Sequence, residues 1–320
     1  MPQTQLKTAQ LGTTGLEITR VGFGAWAIGG GGWEAGWGPQ DDDESVAAIV
    51  HALEQGVNWI DTAAAYGFGH SERVVGRALE EVTERPYVFT KGSLLEGPGR
   101  RIVHNLKRDS LIREAEASLE RLGVDAIDLY QIHWPDPEAD IEEGWAALAE
   151  LKDRGLVRHI GVSNFDVAQL RRIQQIAPVE TLQPPFSLIA REVEDGILPF
   201  AEREEIGVIV YSPMGSGLLT GRMTRDRIEN LPDDDWRKHD ARFQEPVLSR
   251  HLAQVERLKA VAERYDTTPG AVAVAWTLRN PAVDAAIVGF RRPDQVDPIL
   301  TAAGIDLTDE DVEQFERGQL

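Results

Sequence analysis

The chain has 320 residues, of which 42% are hydrophobic and 27% are charged, and its formal net charge is −20. The acidic charge argues against binding to nucleic acid or to an anionic membrane, because the mean field would repel phosphate. Cysteine is absent, which excludes disulfides and thiolate–metal sites and fits a reducing compartment. The sequence contains neither a secretory signal nor an apolar run of membrane-spanning length. We therefore expect a cytoplasmic protein.

Short apolar runs alternate with helical patterns almost throughout the chain, which is typical of a parallel α/β fold. We therefore predict one (β/α)8 TIM barrel over residues 1–320, with long loops at its C-terminal face. The predicted strands are Val21–Phe23, Val57–Ile60, Tyr87–Thr90, Ile127–Ile132, His159–Val162, Thr181–Gln183, Val208–Tyr211 and Ala285–Val288. The predicted helices are Asp42–Gln55, Glu72–Glu84, Ser110–Leu122, Ile141–Arg154, Asp166–Ile176, Val193–Glu204, Arg250–Tyr265, Pro269–Arg279 and Pro293–Ala302.

Two segments lie outside this alternation. Leu6–Leu11 and Leu16–Arg20 bracket the turn Gly12–Gly15, which predicts an N-terminal β-hairpin that plugs the N-terminal mouth of the barrel. The long irregular stretch Gly215–Leu248 is predicted to be a mobile lid, because loops of this length in compact domains are usually functional or disordered.

Polar residues with proton-transfer chemistry stand where predicted strands end. Asp61 follows one strand, Lys91 follows the next, His133 follows a third, and Tyr66 lies in the glycine-rich loop after Asp61. A barrel brings such positions together at its C-terminal face. The phenol of Tyr66 has an ordinary pKa near ~10, and we expect the neighbouring Lys91 ammonium to lower that pKa.

Together these groups suit protonation of a carbonyl oxygen. Asp61 would hold Lys91 in place, and His133 would orient the carbonyl. The protein itself has no hydride to transfer, so a nicotinamide cofactor is required.

Several residues are candidates for holding that cofactor. Gly22–Ala27 matches the spacing G-x-G-x-x-A, but a loop follows it instead of a helix, so it is not a Rossmann fingerprint. Ser163, Asn164 and Gln183 end predicted strands and suit a carboxamide, while Tyr211 suits stacking on the nicotinamide ring.

The segment after the last predicted strand, Gly289–Pro293, contains Arg291 and Arg292 and precedes a helix. A helix N-terminus with guanidinium groups forms an anion site, and loops at this end of barrels commonly bind phosphate. An arginine here favours a 2′-phosphate, and therefore NADP(H) over NAD(H).

These residues resemble the aldo-keto reductase superfamily, and the resemblance covers essentially the whole chain. It rests on Gly56–Glu72 most specifically, and also on Leu119–His133, Ile160–Phe165 and Tyr211–Leu219. The long loop after the seventh predicted strand, Gly215–Leu248, and Trp134 look more like the bacterial and potassium-channel-β-like branches than the aldose reductase branch.

The resemblance implies a catalytic tetrad of Tyr66 as acid/base, Lys91 and Asp61 as its tuning pair, and His133 as carbonyl orienter. The substrate pocket is expected to include Trp26, Trp33 and Trp134. At positions 297–298, Asp-Pro replaces a Glu-Asn pair often seen near the adenine. The residues expected to contact NADP(H) are Gly24, Trp26, Ser163, Asn164, Gln183, Tyr211, Ser212, Gly217, Leu218, Arg222, Gly289, Arg291 and Gln295.

The leading hypothesis is an NADPH-dependent reductase of small aldehydes or ketones. The alternative is a cofactor-bound redox-sensing or regulatory barrel that acts through a protein partner. A hydrolase that pairs Asp128 with Asp136 lacks support, since Asp128 lies within a predicted strand and Asp136 in a loop. The histidines show no metal-ligand spacing, so no metal is expected. The physiological substrate, the direction of reaction and the oligomeric state stay open.

Overall fold

The computed structural model describes residues 5–316. In this part of the chain no helix is both long and apolar enough to cross a membrane. The strands are β1 Thr8–Gln10, β2 Glu17–Thr19, β3 Val21–Gly24, β4 Trp59–Asp61, β5 Tyr87–Gly92, β6 Leu94–Glu96, β7 Ile102–His104, β8 Ile127–Ile132, β9 Val157–Ser163, β10 Thr181–Gln183, β11 Gly207–Tyr211 and β12 Ala285–Gly289. The helices are α1 Asp42–Glu54, α2 His70–Glu81, α3 Arg108–Leu122, α4 Ile141–Asp153, α5 Val167–Ile173, α6 Ile197–Arg203, α7 Arg225–Glu229, α8 Val247–Arg264, α9 Pro269–Thr277, α10 Asp297–Leu300 and α11 Asp309–Glu316.

Eight parallel strands close into a barrel in the order β3-β4-β5-β8-β9-β10-β11-β12, and β12 pairs with β3. Each barrel strand therefore neighbours the next barrel strand along the chain. Helices fill the intervals between strands, so the predicted TIM barrel is confirmed.

The N-terminal hairpin of β1 and β2 covers the bottom of the barrel. Leu11, Leu16 and Ile18 pack in one cluster with residues from inside the barrel, among them Trp59. The backbone N–H of Gly12 donates to Asp284, just before β12. A side chain on Gly12 would collide with the backbone of residue 207, and its φ of +49° favours glycine. These contacts fit the predicted plug.

Several predicted boundaries were wrong. Helix α3 begins at Arg108, two residues before the predicted start at Ser110, which lies buried inside the helix. Asp166 does cap α5, with a capping box. The predicted helix Pro293–Ala302 is broken into short pieces, of which α10 has Pro298 in its first turn. A proline cannot continue a preceding helix without losing a hydrogen bond, which accounts for the break.

Candidate active site

The four residues predicted to carry the chemistry meet at the C-terminal end of the barrel. Lys91 Nζ donates to Asp61 Oδ1 at 2.5 Å and to the carbonyl oxygen of Thr62 at 2.9 Å. The Tyr66 hydroxyl lies 3.4 Å from Lys91 Nζ. The rings of Tyr66 and His133 make an edge contact, with centroids 5.6 Å apart.

Strand pairing positions two of these residues, Asp61 and Lys91, because both lie within barrel strands. Asp61 is the last residue of β4, and Lys91 lies inside β5, whereas both were predicted to follow their strands. Asp61 pairs with Phe89 in the register between β4 and β5. His133 continues the same sheet, since its N–H donates to Gly92 O at 3.0 Å. The sheet therefore positions Asp61 and Lys91 directly.

Asp61 and Lys91 form an almost completely buried ion pair. Asp61 is 2% exposed and Lys91 is 1% exposed. Burial raises the pKa of Asp61 and lowers the pKa of Lys91, and each residue's charge opposes the shift of the other. Gln183 Nε2 donates to the second carboxylate oxygen of Asp61 at 2.9 Å. The carboxylate therefore has a partner on each oxygen.

The pKa of Tyr66 moves in the direction opposite to the one expected. Burial raises the pKa of the phenol well above its ordinary value, and the negative charge of Asp61 adds to that rise. The expectation that Lys91 lowers this pKa was wrong for this state of the site. The Lys91 ammonium donates hydrogen bonds to Asp61 and to the carbonyl oxygen of Thr62. It lies at the limit of hydrogen-bond distance from the Tyr66 hydroxyl. Tyr66 is therefore a protonated phenol at neutral pH.

His133 is neutral in this environment. Burial lowers the pKa of its imidazole well below the ordinary value, and the charges of Lys91 and His104 lower it further. Its Nδ1 atom is buried and, among the described residues, has no hydrogen-bond partner. A neutral imidazole carries one N–H donor, which suits a carbonyl oxygen.

A cavity of about 900 Å³ opens beside the tetrad. Tyr66, His133 and Asp61 line it, whereas Leu218 does not: its fully buried side chain packs with Met223 and Phe243 in the lid. The remaining predicted cofactor and pocket residues all line the cavity: Gly24, Trp26, Trp33, Trp134, Ser163, Asn164, Gln183, Tyr211, Ser212, Gly217, Arg222, Gly289, Arg291 and Gln295.

The residues predicted to hold the carboxamide form one hydrogen-bond network. Asn164 Nδ2 donates to the carbonyl oxygen of His133 and to Ser163 Oγ, both at 3.0 Å. Asn164 Oδ1 accepts from the Tyr211 hydroxyl at 2.8 Å. Ser163 Oγ donates to the carbonyl oxygen of Gln183 at 2.8 Å. The network joins the ends of three barrel strands beside His133.

Arginines from three segments line the same cavity: Arg222, Arg227, Arg237, Arg291 and Arg292. Arg291 lies two residues after Gly289, the last residue of β12. Its guanidinium donates to the carbonyl oxygen of Trp37 at 3.2 Å, to Gln40 Oε1 at 2.5 Å and to the carbonyl oxygen of Pro39. A guanidinium has five N–H donors. Two of them are left by these three bonds within residues 5–316.

Stacked tryptophan rings connect the predicted lid, Gly215–Leu248, to the loop after β3. Trp236 from the lid stacks on Trp26 with ring centroids 5.3 Å apart, and Trp26 stacks on Tyr66 at 6.2 Å. The backbone N–H of Trp236 donates to the carbonyl oxygen of Gly36 at 2.9 Å. The lid itself contains α7 and a hydrophobic cluster of its own. The predicted lid is thus packed over the cavity, and its mobility stays a prediction.

Two features of the site were missed by the sequence prediction. The hairpin of β6 and β7 brings Leu94, Ile102 and His104 to the cavity wall. The sequence Gly97-Pro98-Gly99 between two apolar pairs is typical of a turn, so this hairpin could have been predicted. Arg237 lines the cavity from the lid and is 7% exposed, with Nε and Nη2 bonded to Asp235. No local pattern distinguishes it, because its position depends on the folded lid.

The two acids considered for hydrolysis do not form a pair. Asp128 lies at the start of β8, where it forms ion pairs with Arg85 and Arg158. Asp136 lies beyond the other end of that strand, 3.3 Å from His104. The length of a strand separates the two carboxylates, so they cannot act on one bond.

Comparison with known proteins identifies the family. The Aldo/keto reductase family model matches residues 20–318. Aldo-keto reductase YhdN of Bacillus subtilis is 40% identical over 309 residues, which cover 96% of this chain and 91% of that protein. The NADH-specific methylglyoxal reductase of Escherichia coli is 35% identical over 320 residues, covering 96% of each. The solved structure of glycerol dehydrogenase AKR11B4 from Gluconobacter oxydans matches with a TM-score of 0.87 and 39% identity, over 97% of this chain and 94% of that one. The chain therefore belongs to the aldo/keto reductase family.

Proposed function

We propose that this oxidoreductase reduces the carbonyl group of small aldehydes or ketones to an alcohol, with NADPH as the hydride donor and Tyr66 as the general acid. The observation that carries this proposal is the buried Tyr66 hydroxyl, 3.4 Å from Lys91 Nζ, on the wall of a cavity that His133 also lines. NADPH, when bound, supplies the hydride that the protein lacks.

Tyr66 supplies the proton. As the carbonyl carbon is reduced, its oxygen gains negative charge and becomes far more basic than a phenolate. The Tyr66 O–H bond then breaks, and its proton goes to that oxygen. Lys91, held by Asp61, faces the resulting phenolate with a positive charge and stabilises it. A raised pKa keeps the phenol protonated until the substrate oxygen develops this charge.

His133 orients the carbonyl. Its neutral imidazole donates one hydrogen bond towards the substrate oxygen, and such a placed donor stabilises charge that develops on oxygen. The bond from Asn164 to the backbone carbonyl of His133 fixes the same strand end. Orientation by His133 and protonation by Tyr66 converge on a single oxygen atom.

The residues present fit a phosphorylated dinucleotide. Five arginines line the cavity of a protein whose net charge is −20, so cationic groups are concentrated where an anion would lie. The two remaining donors of Arg291 suit a 2′-phosphate, since guanidinium binds phosphate through paired N–H groups. Arg237 Nη1 lies 3.6 Å from the position of a Cβ on Gly217, one of the residues expected to contact NADP(H).

The relatives support carbonyl chemistry but differ in cofactor. The E. coli relative is named as NADH-specific, whereas a relative from Schizosaccharomyces pombe that is 29% identical carries NADP(+) in its name. Our preference for NADPH rests on Arg291 and the other arginines. The comparisons lend no support to a regulatory barrel.

Initial rates of cofactor oxidation test the proposal. The purified protein is mixed with NADPH or NADH and with a panel of aliphatic, aromatic and sugar aldehydes, and reactions without a carbonyl serve as controls. We expect carbonyl-dependent oxidation, faster with NADPH than with NADH at equal subsaturating concentrations. Oxidation of neither cofactor by any carbonyl would refute reduction and favour the regulatory alternative. Faster oxidation of NADH would refute the NADPH preference alone.

A further inference from the structure

The substrate end of the cavity has an apolar wall with one imidazole that the tetrad does not use. Leu94, Ile102 and Trp134 line this end, and His104 lies among them. His104 is the last residue of β7 and pairs with Leu94 in the hairpin register. The imidazole therefore reaches the pocket from a hairpin outside the barrel sheet.

His104 lines the same cavity as Tyr66 and His133. A positive charge on His104 would act on the His133 imidazole and lower its pKa. The side chain of His104 is 33% exposed, so it borders both the pocket and its mouth. A small substrate whose carbonyl oxygen meets Tyr66 and His133 would extend towards this mouth.

Asp136 holds one side of the His104 ring. Its Oδ2 lies 3.3 Å from His104 Nδ1, at an angle outside that of an aligned hydrogen bond. The carboxylate occupies the Nδ1 side of the imidazole, and Nε2 donates or accepts a hydrogen bond according to the tautomer. Nε2 is then the ring nitrogen left to contact a ligand.

We propose that His104, backed by Asp136, is a specificity-determining residue that selects carbonyl substrates with a second oxygen on the neighbouring carbon. This inference rests on the proposed function. A hydroxyl or second carbonyl buried against the apolar wall without a partner would be penalised, and Nε2 supplies that partner. Simple aldehydes gain nothing from His104.

A matched pair of substrates tests this selection. Lactaldehyde and propanal have the same carbon skeleton and differ by the hydroxyl next to the carbonyl. The ratio of their kcat/KM values is measured in the wild type and in His104→Leu, so that differences in intrinsic reactivity cancel. We expect the variant to lower the ratio about tenfold, the effect of one lost hydrogen bond, because kcat/KM falls more for lactaldehyde than for propanal.

Three further variants separate recognition from structure. His104→Gln keeps a polar side chain and should retain part of the preference. Asp136→Asn should lower the ratio by less than His104→Leu does. Val103→Ala changes an exposed neighbour in the same hairpin, 44% exposed, and should leave the ratio unchanged.

Binding of the product alcohols gives a readout without turnover. The fluorescence of the pocket tryptophans should report tighter binding of propylene glycol than of propanol to the wild type, and this difference should shrink in His104→Leu. An equal loss on both aldehydes, or an unchanged ratio, would overturn the inference alone. A wild type that reduces none of the aldehydes in the panel would refute the proposed function, and the inference would fail with it.

Discussion

Lys91 and Asp61 depend on each other because neither has access to water. Replacement of Lys91 by Met leaves the Asp61 carboxylate buried beside Gln183 without its cation. Loss of one partner of a buried pair typically costs about 3–5 kcal/mol. We expect Lys91→Met to lower the free energy of unfolding by about 3 kcal/mol in urea titrations followed by tryptophan fluorescence.

The double variant Asp61→Asn/Lys91→Met is the matched control for this prediction. It removes both charges, so most of the lost stability should return, while reductase activity should stay low because the phenolate of Tyr66 has no cation. A single variant as stable as the wild type would show that the ion pair contributes nothing to the fold.

Glu114 gives the stability of the protein a predictable pH dependence. Burial raises the pKa of this α3 carboxyl to about 7, although it accepts hydrogen bonds from Ser93 N–H and Ser110 Oγ. The folded state therefore binds more protons than the unfolded state between the two pKa values. The stability from this group is present below about pH 4.5 and is lost as the pH rises through about 7.

The Glu114→Gln variant should lack this contribution. From about pH 4.5 to above 7, the unfolding free energy of the wild type should fall relative to Glu114→Gln by roughly 2–3 kcal/mol. Urea unfolding at a series of pH values measures the difference. Glu116→Gln, on the same helix with a half-exposed side chain, should show no comparable divergence. Parallel pH curves for Glu114→Gln and the wild type would contradict the raised pKa.

At the scale of elements, Arg291 connects β12 to the loop after β3. Its guanidinium donates to the carbonyl oxygens of Trp37 and Pro39 and to the side chain of Gln40. Arg291→Leu should weaken NADPH binding by roughly ten- to hundredfold, the worth of charge-assisted hydrogen bonds, and should weaken NADH binding less. Quenching of tryptophan fluorescence measures both dissociation constants.

The Gln40→Leu variant separates the two roles of Arg291. It removes an acceptor in the loop but leaves the guanidinium, so we expect a similar weakening for both cofactors. Equal losses for NADPH and NADH in Arg291→Leu would show that this arginine acts only through the loop.

Several barrel strands could be predicted from sequence because they are apolar runs that end at polar residues. Val57–Ile60 followed by Asp61 is such a signal, and β4 appears at residues 59–61. Exact ends were less predictable: β5 continues through Lys91 to Gly92 because its pairing with β8 extends that far. Pairing across a sheet is a property of two segments, which periodicity in one segment cannot reveal.

The candidate site likewise has features that could be predicted from sequence and features that could not. Asp61, Lys91 and His133 could be predicted because strand ends converge at one face of such a barrel, and Tyr66 because its loop follows one of those strands. The pKa direction of Tyr66 could not, because the sequence names neighbouring charges but does not show how far the phenol is removed from water. Arg237 and His104 were missed since tertiary contacts of the lid and of the hairpin place them.

At the scale of the whole molecule, positively charged groups are concentrated around the cavity although the net charge of the protein is negative. The net charge is −20, yet five arginines line the cavity. Tyr66 and His133 line the same cavity and are almost fully buried. This arrangement suits an anionic cofactor held by cations and a proton transfer kept away from bulk water.

The central claim is that the Tyr66 hydroxyl gives its proton to the substrate oxygen. Single-turnover reduction of an aldehyde by the Tyr66→Phe variant, with NADPH binding measured in parallel, tests it most directly. We predict a rate lower by about two to four orders of magnitude and NADPH affinity close to that of the wild type. A variant that binds NADPH normally and reduces the aldehyde at the wild-type rate would contradict the account.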